Sequence, residues 1–233
     1  MSATKIVPLE KLYRDAIDKL PLFTDISCSQ EGEDILLKRL LKNKYTQRGI
    51  YVDLGALHPV RFSNTAHYYM RGWHGINVEP NPDVIDLFNE IRPRDTNLSF
   101  AIGEDGEATY YKFREPAFNT FDLSQVEFAK TKTELIQSIT VLKKKLSKVL
   151  DKHLDCEDEL VFFNVDVEGN ELEVLKTNDW SKYRPLLLLV EALSEEKYFE
   201  LKGFLERYDY HFVARTKNTY FFAEAIFKRE FVD

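Results

Sequence analysis

Carboxylates recur at the ends of short apolar runs in this chain. Asp53 closes Gly49-Ile-Tyr-Val-Asp53, just before Gly55, and Glu79 follows Gly75-Ile-Asn-Val78. Asp166 and Glu168 follow Leu160-Val-Phe-Phe-Asn-Val165, and Glu191 follows Pro185-Leu-Leu-Leu-Leu-Val190. Runs of this length and composition, stopped by Gly or Pro, read as buried strands. A fifth run ends at Ala101-Ile102-Gly103 without an acid. In an open parallel sheet, ligands sit beyond the C-terminal ends of the strands. Acids gathered there are costly if they face nothing, and sensible if they face hydroxyls, an amine or a positive charge.

The spacing narrows the ligand. Gly55 lets backbone approach a ligand closely, but the acid at Asp53 would repel a diphosphate at the same point. No GxGxxG is present, which weakens a dinucleotide reading. Glu79 lies where an acid accepts hydrogen bonds from both ribose hydroxyls of an adenosine. Taken singly, Gly55 reads as a turn glycine and Glu79 as a solvated strand end. Their ordered recurrence at successive strand tips favours a ligand. Asp53, Gly55, Glu79 and backbone around Ala101 and Ile102 would hold an adenosine with a zwitterionic amino-acid tail, which is the chemistry of S-adenosylmethionine.

The elements that must position these residues follow from periodicity. Residues 9–20 have helical apolar spacing, ended by Pro21; a second helix fits 30–42, with Ser27 or Ser29 as its cap. Asn81-Pro82-Asp83 opens a helix to about Glu90. Leu98–Ile102 reads as a third strand, with Ala108–Phe113 pairing against it across Gly103–Gly106. A helix begins near Gly169 and another spans 194–208. Strands at 210–214 and 220–223 close the chain. This order predicts an α/β fold with a mostly parallel sheet and a C-terminal antiparallel hairpin. Within 115–158, Ser138–Leu142 is read as a strand followed by a short helix, in preference to one amphipathic helix over 133–150. The segment interrupts the strand–helix rhythm near the ligand edge, so it is expected to act as a lid or acceptor-binding element.

The chain has 233 residues, 44% of them hydrophobic and 30% charged, so a single globular domain over 1–233, with residues 1–45 as an N-terminal helical segment, is expected. A net charge of −7 argues against a general phosphate-backbone binder, though not against a local basic groove, and no nucleic-acid partner is expected. No run reaches the roughly 20 apolar residues of a membrane span, and no apolar leader segment opens the chain, so a cytoplasmic location is expected. Cys28 and Cys156 form no CxxC; with only His153 nearby in sequence, neither a disulfide framework nor a zinc site is supported.

Several linked motifs resemble the FkbM family of S-adenosylmethionine-dependent methyltransferases. They are Ser29-Gln30-Glu-Gly-Glu33-Asp34, Tyr51-Val-Asp53-Leu-Gly55-Ala56, Arg61-Phe-Ser63-Asn64-Thr65, Gly72-Trp73-His-Gly75-Ile-Asn-Val-Glu79-Pro80-Asn81-Pro82 and Asn164-Val-Asp166-Val-Glu168-Gly169-Asn-Glu171. The resemblance covers about residues 27–215. It implies a Rossmann-like, class I methyltransferase fold with a seven-stranded sheet, and O-methylation of a sugar, a glycan or another natural product. It implies cofactor contacts from Gln30, Asp53, Gly55, Ser63, Asn64, Thr65, Glu79, Asn81, Ala101, Ile102 and Asp166. Two departures stand out. Ala56-Leu57-His58-Pro59 replaces a loop in which many members have a second glycine. Asn164 stands where an apolar or lysine residue is more usual, a change expected to matter little.

A hydroxyl acceptor must lose its proton as the methyl group moves, so a base or a metal is needed beside it. Asp166 is the first candidate, as general base or as ligand of a divalent cation together with Glu191. Glu168 and Glu191 are placed to assist, and His58 is an alternative base. The plainer readings are an acidic first helical turn for Glu168 and a structural loop histidine for His58. Ser63, Asn64 and Thr65 can cap the following helix or hold the cofactor's carboxylate. Tyr110, Tyr111, Phe113, Phe118 and Phe121 are expected to cover the sheet, with stacking on a sugar ring as the sharper reading. Lys143, Lys144, Lys145, Lys148 and Lys152 are expected to form a solvated face, or to receive an anionic, nucleotide-linked acceptor. An NAD-dependent sugar-nucleotide enzyme is the competing activity; the missing GxGxxG and Tyr-x-x-x-Lys count against it. A non-catalytic adenosine-binding module has no use for acids at four tips.

Overall fold

The computed structural model describes residues 8–17, 19, 25–42, 48–155 and 158–228. In chain order the elements are α1 (Leu9–Ile17), α2 (Glu33–Leu41), β1 (Ile50–Leu54), α3 (Ala66–Met70), β2 (His74–Val78), α4 (Pro82–Ile91) and β3 (Thr96–Leu98). There follow β4 (Ala101–Ile102), β5 (Gly106–Phe113), a 3-10 turn (Pro116–Phe118), α5 (Leu123–Lys130), β6 (Leu135–Lys144) and α6 (Leu146–His153). The last are β7 (Leu160–Val165), α7 (Glu171–Lys176), β8 (Leu187–Glu191), α8 (Glu195–Glu206), β9 (Tyr210–Arg215), β10 (Thr219–Glu224) and α9 (Ala225–Lys228).

The main sheet has seven strands in the order β3-β2-β1-β7-β8-β10-β9. All pairings are parallel from β3 to β8, and β10 runs antiparallel between β8 and β9. Both faces are covered because successive residues point to opposite sides of a strand. Val52, Phe163, Leu188 and Phe222 enter one apolar cluster, which Leu146, Val149 and Leu150 of α6 and Leu201, Phe204 and Leu205 of α8 complete. Their chain neighbours Tyr51, Phe162, Leu187 and Phe221 enter the other, with Leu37 and Leu41 of α2 and Tyr68 and Tyr69 of α3. Each such buried side chain contributes about 1.5–3 kcal/mol, which holds the strand tips at a common edge.

The third strand departs from expectation. Only Thr96–Leu98 joins the main sheet, beside β2. After Ser99 and Phe100 the chain leaves it, and Ala101–Ile102 pairs with Lys143–Lys144 in a separate three-stranded sheet of order β4-β6-β5. The expected pairing of Ala108–Phe113 with 98–102 is therefore wrong. β5 pairs antiparallel with β6 from Gly106↔Lys143 to Phe113↔Leu135. The reason is length, since a two-residue strand offers few ladder bonds whereas the ten-residue β6 matches all of β5. The strand-then-helix reading of 138–150 agrees with this, with a longer strand. The interrupting unit starts at β4 rather than at 115 and ends with β6, because α6 packs into the main core. Helix α5, capped by Asp122 accepting from the Ser124 amide (2.8 Å), was not anticipated.

Helix α2 begins later than expected, behind Gly32 in the left-handed region at φ 85°. Ser27 and Ser29 do not occupy its cap position. Both hydroxyls donate to Asp34 Oδ1 (2.7 and 2.8 Å), and Ser29 Oγ accepts from the Asp34 amide (3.3 Å). Pro21, Cys156 and the spacing of Cys156 from His153 lie outside the described residues. Cys28 is a free, half-buried thiol. Among the described residues no helix is long and apolar enough to cross a membrane.

Candidate active site

Three strand tips are stitched together by backbone alone. The Gly55 and Ala56 amides donate to Val78 O (2.9 and 3.3 Å), and the Asp166 amide donates to Leu54 O (3.0 Å). Gly55 has φ 80°, and a Cβ there would lie 1.7 Å from the Asp166 carbonyl oxygen. Only glycine fits, so this residue sets the approach of β1 to β7. Two steps on, Leu57 takes φ 51° without being glycine. This is the loop that departs from the family pattern, and it turns in the left-handed region all the same.

Two cavities meet over this junction, of about 520 and 300 Å³. Gly55, Leu57, Asp166 and Glu168 line both. The larger lobe has a mostly apolar wall, including Phe100, Ala101 and Ile102; Glu79 lines it, as do Glu104 and Glu173 besides the shared Asp166 and Glu168. Glu79 is buried, and its oxygens accept from the Leu57 amide (3.2 Å), the Asn81 amide (2.9 Å) and the Tyr110 hydroxyl (3.3 Å). Burial pushes its carboxyl up to about 7, against the pull of these donors. Asn81 heads α4, and its Oδ1 is sealed from solvent without a protein donor. Asn81, expected among the cofactor contacts, lines neither lobe. A mostly apolar wall with the anchored Glu79 acid fits the base and ribose of an adenosine.

The smaller lobe is acidic. Glu31, Glu33, Asp53, Asp166, Glu168 and Glu191 line it, with Gln30, Ser63, Asn64 and Asn164 among its other polar residues. Burial and the neighbouring Glu171 raise Asp166, and burial and Asp166 raise Glu191. Burial, then Asp166, pushes Glu168 up to about 8. Glu191 Oε2 is buried and receives no donor. Glu168 itself sits at φ 54°, a strained conformation held by the turn into α7. Glu171 closes that turn by accepting from the Gly169 amide (2.7 Å), and Lys197 Nζ donates to Gly169 O (2.6 Å). A crowd of acids in which Glu191 keeps an oxygen without a donor fits a ligand that brings positive charge, as the sulfonium and ammonium of S-adenosylmethionine do.

Behind the acidic lobe runs a buried polar network. Asp53 accepts from Thr65 Oγ1 (2.6 Å) and Asn164 Nδ2 (2.8 Å), and Asn164 Oδ1 accepts from Asn64 Nδ2 (2.9 Å). Arg92, fully buried, donates to Thr65 Oγ1 (3.0 Å), the Tyr51 hydroxyl (2.7 Å) and Asp95 (2.8 Å). Asn164 thus matters a great deal, contrary to expectation, because it ties Asp53 to Asn64. Thr65 lies behind the wall rather than on it, while Ser63 and Asn64 reach the cavity. Burial is the main force on Asp53, raising its carboxyl.

His58 is not on either cavity wall. Its Nδ1 accepts from the Val60 and Arg61 amides (3.0 and 2.9 Å), and burial with Arg61 nearby lowers its basicity, so it staples the loop. Among the described residues no group of three or more His, Cys, Asp or Glu could hold a metal ion, and Asp166 with Glu191 gains no third ligand.

The sequence reading missed Glu31, Glu33, Asn218 and Thr219, all on the acidic lobe. Thr219 arrives because β10 inserts beside β8 and pairs it with Glu191. The aromatic stretch divides: Tyr110 and Phe121 line the larger lobe and Phe118 the smaller, while Phe113 packs with Val126 and Ala129 under α5. The lysines do not gather into one face. Lys145 and Lys148 pair with Glu104 and Asp105, Lys144 lies over the Phe100 ring and Lys143 lines the larger lobe.

A family model described as the methyltransferase FkbM domain matches residues 53–212. No curated protein sequence matches the chain significantly. Among solved structures, an O-methyltransferase from Bacillus cereus in complex with SAH is 11% identical, with a TM-score of 0.43 and coverage of 92% of this chain and 89% of that one. The 1,6-didemethyltoxoflavin-N1-methyltransferase of Burkholderia thailandensis is 11% identical at a TM-score of 0.41, covering 96% and 93%. A precorrin-6y C5,15-methyltransferase from Geobacter metallireducens is 13% identical at 0.39, covering 88% and 92%.

Proposed function

The chain belongs to the FkbM methyltransferase family, and on that premise we propose that it O-methylates a hydroxyl of a sugar or glycan. S-Adenosylmethionine, when bound, supplies an electrophilic methyl group on a positively charged sulfur. Glu79 binds the ribose, Ala101 and Ile102 flank the base, and Gln30, Ser63 and Asn64 take the amino-acid tail. Asp53 and Thr65 hold that wall in place through Asn164 and Arg92.

One observation carries the chemistry: Asp166 lines both lobes. A base must touch the acceptor oxygen on one side of the moving methyl group while the cofactor lies on the other. Asp166 takes the hydroxyl proton, and its raised affinity for protons brings it nearer the working pH of a general base. Glu168 and Glu191 line the same acidic lobe and orient the acceptor by accepting from its other hydroxyls. The carboxylates disfavour an anionic acceptor, and the paired Lys145 and Lys148 do not offset them. The acceptor is therefore an uncharged or amino sugar. Segment 116–121 supplies walls to both lobes and is the acceptor-facing element.

The test is methyl transfer from isotopically labelled S-adenosylmethionine to a panel of neutral, amino and acidic saccharides and simple phenols, read by mass spectrometry. Label on a neutral or amino sugar oxygen is expected. Label confined to phenols, to nitrogen or to acidic sugars overturns the reading.

A further inference from the structure

Phe62 is in the wrong place for a packing residue. It belongs to none of the four apolar clusters of the described residues, and it is 38% exposed. Its backbone sits at φ 57°, in the left-handed region that a bulky side chain occupies only at a cost. It nevertheless lines the acidic lobe, with Phe118 on another part of the same wall. Its ring is also held. The Arg61 guanidinium lies over it at 4.5 Å from the centroid and pairs with Glu115 (3.0 Å). Glu115 in turn caps the turn carrying Ala117 and Phe118, accepting from the Ala117 amide (3.4 Å).

A strained, propped-up aromatic ring beside a cluster of carboxylates has a ready chemical complement. A pyranose has hydroxyls around its rim for the carboxylates and amides, and a patch of C–H groups on its face for an aromatic ring. A flat aromatic acceptor would leave the polar wall unsatisfied. We propose that Phe62 is the platform on which the sugar ring of the acceptor lies, held at the mouth of the acidic lobe by the Arg61–Glu115 pair. The inference rests on the carbohydrate O-methyltransferase reading and adds the residue that selects for a sugar face.

The test combines activity with stability. In Phe62→Gly the acceptor KM for the best saccharide of the panel should rise roughly tenfold, the size of an aromatic contact, with the Kd for S-adenosylhomocysteine unchanged. Phe62→Trp should restore KM to within about twofold. Glycine relieves the left-handed backbone, so the Tm of Phe62→Gly should hold or rise by up to about 3 °C. An unchanged KM in an active Phe62→Gly enzyme overturns the proposal, as does a Tm fall of more than about 4 °C, which would make Phe62 a packing residue. A wild-type enzyme that methylates no saccharide defeats the underlying reading and this proposal with it; an active wild type with an indifferent Phe62→Gly defeats this proposal alone.

Discussion

The two lobes of the cleft treat acids in opposite ways. In the larger lobe the buried Glu79 carboxylate is met by two backbone amides and a tyrosine hydroxyl. In the smaller lobe several carboxylates crowd together, Glu191 keeps an oxygen with no donor, and Asp166 faces the repulsion of Glu171. The first arrangement gives the carboxylate three protein donors and suits a neutral nucleoside held by hydrogen bonds. The second is crowded with acids and offers little positive charge of its own, which the sulfonium of the cofactor would bring. Under the proposed function, Glu79 serves recognition, and the crowded acids around Asp166 serve charge and proton transfer.

The largest effect expected from this division is at Asp166. Asp166→Ala should lower kcat by about 10²–10⁴, while calorimetry still detects S-adenosylmethionine binding. Near-normal turnover would remove Asp166 from proton transfer. Across the cleft, Glu79→Gln should weaken cofactor binding by roughly tenfold or more, about the worth of a charged hydrogen bond, with kcat at saturating cofactor little changed. A kcat loss as large as that of Asp166→Ala would erase the distinction between the lobes.

A smaller effect concerns pH. Glu79, Asp166, Glu168 and Glu191 all hold protons more tightly in the folded chain than in the unfolded one. The native state then binds more protons above the unfolded carboxylate range, and its stability falls as pH rises. The Tm without cofactor should drop by roughly 5 °C between pH 5.5 and 8.5, and S-adenosylmethionine should reduce that drop. A flat profile would mean that the crowded acids are better solvated than their burial implies. The smallest effect is at the lysines: reversing Lys145 and Lys148 together should change kcat/KM by less than about twofold, because each already pairs with an acid on the surface.

Much of the larger lobe is legible in the chain. Glu79 after a β-branched run and Gly55 after Asp53 are local patterns, and local patterns survive folding. The acidic lobe was half legible. Asp166, Glu168 and Glu191 also end strands, but Thr219 reaches the lobe only through the insertion of β10 beside β8, a long-range pairing. Asn164 looked incidental because its role depends on Asp53 and Asn64, more than 95 residues away. The second sheet was misread because β4 has only two residues, and its partner β6 lies some forty residues downstream. Phe62 falls within the Arg61–Thr65 motif, but neither its strained backbone nor its lack of core partners has a sequence signature.

Crystals grown with S-adenosylhomocysteine would show where the nucleoside and the sulfur lie. Both ribose hydroxyls should lie on the Glu79 carboxylate, the adenine against Ala101 and Ile102, and the sulfur on the side of the cleft where Asp166 stands. A nucleoside bound elsewhere, or one whose ribose makes no contact with Glu79, would contradict this placement.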